Sequence, residues 1–137
     1  MSPNAIARGV AAVCSVSALA LLFFTCSGIV HATSEQITDI ERGRRLFEKR
    51  CTGCHSLDQD KEGPRLRGVY GRRAGTIASF EYSDALKSAH IVWDDAELDK
   101  WLADTDALIP GNDMAFHVPK PEERAEIVRF LRAMSEK

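Results

Sequence analysis

No acidic residue occurs before Glu35, although the 137-residue chain carries twenty Asp and Glu. A folded domain does not segregate charge in this way, so the N-terminal stretch is set apart from the rest of the chain. Sustained apolar-polar alternation is also missing, which argues against a sheet as the main framework, and there is no internal repeat to build a solenoid. A formal charge of only −2 offers little to a polyanion. The arginines between 42 and 73 lack the interleaved aromatics of a base-stacking platform, so nucleic acid is not an expected partner. With 45% apolar residues the chain is too hydrophobic for low-complexity disorder, and it is too short for two domains of ordinary size.

The acid-free stretch carries Arg8 and then the apolar run Val10 to Val30. Val30-His31-Ala32 supplies small or apolar residues at the −3 and −1 positions of a signal-peptidase site, so residues 1–32 read as a signal peptide cut after Ala32. The alternative is an uncleaved membrane anchor, because about 20 apolar residues suffice to span a bilayer. Either form sends the domain to an exported, oxidising space, the bacterial periplasm, soluble or anchored to the inner membrane. Residues 33–38 then form a short linker and residues 39–137 a single domain. Cys14 and Cys26 lie in the apolar run as small fillers, which leaves Cys51 and Cys54 as the cysteines of the mature chain.

Three helices are expected. Thr38-Asp39-Ile40-Glu41 has the form of a capping box opening a helix from about Asp39 to Arg50, with Ile40, Gly43, Leu46 and Phe47 on its apolar side. Gly43 is the place where another helix can approach closely. A second helix is expected within Trp93 to Leu102, capped by Asp94 with Glu97 three residues on. The last opens at Pro121, a first-turn residue, and repeats apolar side chains at Ile127, Phe130, Leu131 and Met134. Residues 63–75, with four glycines and a proline, read as loop, and Ile109-Pro110-Gly111-Asn112 reads as a turn.

Chemistry enters at Cys51-Thr52-Gly53-Cys54-His55. C-x-x-C-H is the spacing of covalent c-type haem attachment: two thiols at a helix end add to the two vinyl groups of one porphyrin, and the adjoining imidazole is held beneath the iron. Structural zinc needs four ligands, and no second cysteine pair remains after export. A redox C-x-x-C would sit in a βαβ pattern, which the sequence lacks.

Further motifs occur in order along the chain. Gly63-Pro64-Arg65-Leu66 and Gly68-Val69-Tyr70-Gly71-Arg72 precede Phe80-Glu81-Tyr82-Ser83-Asp84-Ala85 and Ile91-Val92-Trp93, then Ile109-Pro110-Gly111-Asn112-Asp113-Met114-Ala115-Phe116 and Ile127-Val128-Arg129-Phe130-Leu131. In this arrangement residues 39 to 135 resemble the class I cytochromes c. The resemblance implies an all-α cytochrome c fold of about four to five helices wrapped around one haem c bound through Cys51 and Cys54. It implies that His55 and Met114 ligate the iron from opposite sides, that the Pro64 carbonyl fixes the His55 tautomer, and that Arg72, Tyr82 and Trp93 hydrogen-bond the haem propionates. Gly43 and Phe47 against Ile127 and Phe130 would form the family's terminal-helix contact.

Read from the residues alone, Met114 is equally a soft ligand in a turn braced by Pro110 and Gly111 or a core filler. His90, His117 and Met134 are its rivals, the histidines expected toward solvent and Met134 toward the helix pair.

With both axial positions filled, the expected role is a one-electron carrier rather than an enzyme. Its donor would be a cytochrome-reducing complex or dehydrogenase, its acceptor an oxidase or reductase, and the protein itself a monomer. Alternative roles are the electron-accepting subunit of a periplasmic oxidoreductase, or a haem sensor or peroxidase if the methionine is labile. Charge is unevenly spread: residues 42–73 carry a balance of +6 and residues 81–113 a balance of −7. Many relatives that feed oxidases place lysines where this chain has Asp106, Ala107 and Asp113, which points its contacts toward a basic partner or toward its own Arg65 to Arg73 side.

Overall fold

The computed structural model describes residues 37–136, so the expected leader and most of the linker lie outside the described residues. Within them are five helices: α1 over residues 37–50, α2 (Asp84–Ser88), α3 (Asp95–Ala103), α4 (Thr105–Leu108) and α5 (Pro121–Ala133). Among the described residues the only β pairing is an isolated bridge between Arg73 and Val92. None of these helices is long and apolar enough to cross a membrane.

Helix α1 already includes Ile37 and Thr38, so the expected capping box is not its start. The two acids of that motif are engaged within the helix instead. Asp39 pairs with Arg42, and Glu41 accepts from Arg44 Nη2 at 2.9 Å, an i,i+3 contact that competes with reaching back to a free amide. The bond from Arg44 also holds the Glu41 carboxyl below its ordinary range.

Helices α3 and α5 begin where the sequence indicates. Asp94 accepts from the Glu97 amide at 2.8 Å, and Pro121 opens α5 in the first turn, where a missing N–H costs nothing. The short α2 and α4 escape periodicity altogether. Each is started by a side-chain cap, Ser83 on Leu86 N at 3.4 Å and Asp104 on Ala107 N at 3.0 Å.

Helix α5 is the organiser. Ile127, Val128, Phe130 and Leu131 are all buried, and burying each such side chain contributes roughly 1.5–3 kcal/mol. Phe130 meets Phe47 of α1 with ring centroids 5.2 Å apart. The two helices touch at Gly43: a Cβ there would stand 2.1 Å from the Glu126 carbonyl oxygen, so only glycine permits this crossing. Arg42 to Glu126 at 2.9 Å and the Arg50–Glu123 pair flank the seam. Helix α3 packs on α5 through buried Leu98, Trp101 and Leu102, and Arg124 of α5 reaches Asp99 at 2.7 Å.

The expected loop at residues 63–75 is irregular, with Gly68, Gly71 and Gly75 at positive φ. The expected turn at Ile109–Asn112 is likewise present, with Gly111 at φ 82°.

Candidate haem site

The cysteine motif continues the winding of α1. Cys51 N bonds Phe47 O at 2.8 Å, and His55 N bonds Cys51 O at 2.8 Å, so the last turn carries both thiols and delivers the imidazole. Carbonyls exposed by the helix end are met by Lys61, whose ammonium reaches Thr52 O at 2.6 Å and Gly53 O at 3.3 Å, a cation where the helix dipole is negative. Cys51 is buried and its thiol is pushed up to about 11 by desolvation, whereas Cys54 is exposed. The two cysteines do not form a disulfide with each other.

His55 is 7% exposed, and its ring makes one hydrogen bond among the described residues: Nδ1 lies 2.8 Å from the Pro64 carbonyl, so Nδ1 carries the proton. Burial is the main cause lowering its basicity, a shift toward the neutral imidazole. Nε2 bonds to none of the described residues, and that is the nitrogen a metal takes. The ring is also walled in. A Cβ on Gly63 would sit 2.2 Å from its Cε1, a contact that sequence reading missed because nothing in a loop glycine's neighbourhood announces a ring across the turn.

Of the other expected residues, Arg72, Tyr82 and Trp93 are brought together. Backbone bonds from Trp93 N to Arg72 O at 3.0 Å and from Gly71 N to Trp93 O at 2.7 Å tie the first and last. The Arg72 guanidinium donates to the carbonyls of Arg67 (3.2 Å) and Arg65 (3.1 Å), leaving three of its five N–H groups for another acceptor. Burial lowers its pKa, and the same cause raises that of the Tyr82 phenol. Trp93 is buried against Trp101, centroids 5.4 Å apart, and its indole N–H bonds to none of the described residues.

Met114 is half-buried and packs against the core. Its thioether accepts no hydrogen bond from the described residues, so its lone pairs are free. Its rivals lie where they were expected: His90 and His117 are exposed, and Met134 packs partly buried against the core. A cavity of about 440 Å³ beside His55 is lined by Phe47, Leu57, Phe130 and Met134; of the expected site residues it touches His55 alone, and it is the seam between α1, α5 and the loop after the motif.

An imidazole with one nitrogen tethered and the other free, two thiols outside any disulfide on the turn before it, and unspent N–H donors on a half-buried guanidinium and a buried indole fit an iron porphyrin with carboxylate arms. An all-α wrap with these features defines a c-type haem protein. Residues 40–135 match the cytochrome c family model. The chain is 40% identical over 101 residues to cytochrome c of Euglena viridis, covering 72% of this chain and 99% of that protein. It is 39% identical over 97 residues to cytochrome c of Arabidopsis thaliana, covering 68% and 87% respectively. Among solved structures it is similar to cytochrome cH from Methylobacterium extorquens, with a TM-score of 0.65 and 35% identity over 68% of this chain and 96% of that one. The chain belongs to the cytochrome c family and carries one haem c, attached covalently through Cys51 and Cys54. This is a family of electron carriers.

Proposed function

We propose that the chain is a periplasmic one-electron carrier, not an enzyme, whose haem iron would be held by His55 Nε2 and Met114 Sδ. The observation that carries this reading is the tether on His55, which fixes the tautomer and leaves Nε2 without a hydrogen-bond partner among the described residues. When bound, the haem supplies a ferric/ferrous couple, which a thioether ligand and an apolar setting shift toward the ferrous state. Arg72, Tyr82 and Trp93 would hold its propionates. With the His55 imidazole and the Met114 thioether both given to the iron, the chain would leave no ligand position open to a substrate, and the bound haem would supply electron transfer without one. Native holoprotein that turns over peroxide without losing Met114 ligation would contradict this reading. Export rests on the acid-free leader pattern of residues 1–32.

The partner is a redox protein with a basic contact face. Supporting this, two cations of the arginine-rich side are offset by carboxylates: Arg65 pairs with Asp60 at 3.1 Å and Arg67 with Asp58 at 2.5 Å. Asp104, Asp106 and Asp113, around the Met114 loop, form no ion pair with the described residues. Unpaired surface charge steers encounters and loses its effect as salt rises. Reduced protein mixed with a basic redox partner should transfer electrons more slowly as salt rises, and the double reversal Asp106→Lys, Asp113→Lys should cut the low-salt rate about tenfold. Unchanged rates with both basic and acidic partners would exclude docking through this face.

A further inference from the structure

Two polar side chains are buried among the described residues, His55 and Thr105. The first is explained by the site. The second, 2% exposed at the start of α4, is neither a ligand nor a propionate donor in the proposed haem site. A hydroxyl withdrawn from water is costly unless it is bonded, and the partner Thr105 finds is the main-chain carbonyl of Met114, at 2.5 Å. From the other side, the Met114 N–H donates to Asn112 Oδ1 at 2.8 Å. Asn112 is fixed in turn, its amide donating to Ile109 O at 2.9 Å and to Asp106 Oδ1 at 3.2 Å. Both polar backbone groups of one loop residue are therefore held by side chains, and that residue is the methionine.

We infer that Thr105 and Asn112 are positioning residues that clamp the Met114 backbone and so keep its thioether on the iron. The inference rests on the reading of Met114 as an axial ligand. A methionine side chain has three rotatable bonds, so it reaches a fixed point reliably only if its backbone does not wander. The loop has reasons to wander: Gly111 is at positive φ, and Gly111, Asp113 and Ala115 are all exposed. Fixing the N–H and the C=O of Met114 restrains the peptide units on both of its sides while leaving the thioether free. Lost clamps should show as more frequent release of the sulfur in protein that is still folded.

The test uses exported ferric holoprotein of the wild type and of Thr105→Val, Thr105→Ser, Asn112→Ala and Asn112→Ser. Two readouts are followed: the weak near-infrared band of a thioether on ferric haem, as pH is raised, and the rate at which added imidazole displaces the ligand. Far-ultraviolet circular dichroism identifies the folded variants. Thr105→Val and Asn112→Ala should each lose the band at lower pH and capture imidazole about tenfold faster, the scale of one hydrogen bond. Thr105→Ser, which keeps the hydroxyl, should match the wild type, and Asn112→Ser should fall between. A purely structural role would lower the unfolding temperature and leave imidazole capture unchanged. Wild-type protein with the band, together with folded variants unmoved in both readouts, overturns the clamp alone. Wild-type protein without the band overturns the ligand assignment and the clamp with it.

Discussion

The His55 side and the Met114 side of the site are held by different means. His55 is delivered by the final winding of a helix, its amide on Cys51 O at 2.8 Å, and its ring is pressed against Gly63 and tied to Pro64 O. Met114 stands on an irregular strap, fixed by one hydrogen bond accepted from Thr105 and one donated to Asn112, both side chains being local. One position follows from a helix and a steric wall, the other from a few polar latches. Damage should therefore differ in kind: a steric change on the histidine side prevents assembly, while changes on the methionine side tune a site that still forms.

The largest effect is expected from Gly63→Ala. Its new carbon, 2.2 Å from His55 Cε1, cannot be accommodated without moving the ring off the Pro64 carbonyl, and overpacking of this kind costs about 1–3 kcal/mol or more. Haem staining of exported protein should show covalent holoprotein falling several-fold below wild type. Wild-type yield together with a wild-type spectrum would mean that the wall is not needed.

Met114→Ala is next. It should leave a folded, covalently loaded protein with a lower reduction potential, because the thioether that favours ferrous iron is gone, and the ferrous form should take up carbon monoxide. Potentiometry checks this directly. An unchanged potential would mean that the sulfur was never on the iron.

The smallest effect concerns Asp60, which braces the loop after His55 by accepting from Ser79 Oγ at 2.6 Å, Arg65 N at 2.9 Å and Arg65 Nη1 at 3.1 Å. Ser79 first, and then the Arg65 amide, hold its carboxyl below the ordinary range. A depressed folded value contributes stability that is present above the unfolded carboxylate range and is lost as pH falls through the folded value. Asp60→Asn should therefore be less stable than wild type at neutral pH, with the gap in unfolding temperature closing as pH falls below the ordinary carboxylate range. A gap independent of pH would remove the carboxylate from the account.

Legibility in the sequence divides along the same line. C-x-x-C-H is readable because covalent attachment dictates its spacing, and α3 and α5 are readable because cap, proline and period agree. Helices of five and four residues, α2 and α4, carry too little period to be seen, and only their caps at Ser83 and Asp104 mark them. The sequence misplaces the start of α1 because Thr38-x-x-Glu41 has the form of a capping box, yet its acid serves Arg44. Pro64 on His55 and Thr105 on Met114 each span nine residues across a loop, a separation with no periodic trace. Family resemblance points to the first, whereas the second has no such guide. Gly43 is legible as a contact because it sits on the apolar side of a helix, and Gly63 is not, because it sits in a loop.

The most direct test of the central claim is an absorption spectrum of the exported holoprotein, oxidised and reduced, with carbon monoxide added to the reduced form. His55 and Met114 together on the iron predict a weak near-infrared thioether-to-ferric band and a reduced spectrum that carbon monoxide leaves unchanged. A missing band, or a reduced spectrum that shifts readily with carbon monoxide, would mean an open or differently ligated iron and would contradict the electron-carrier account.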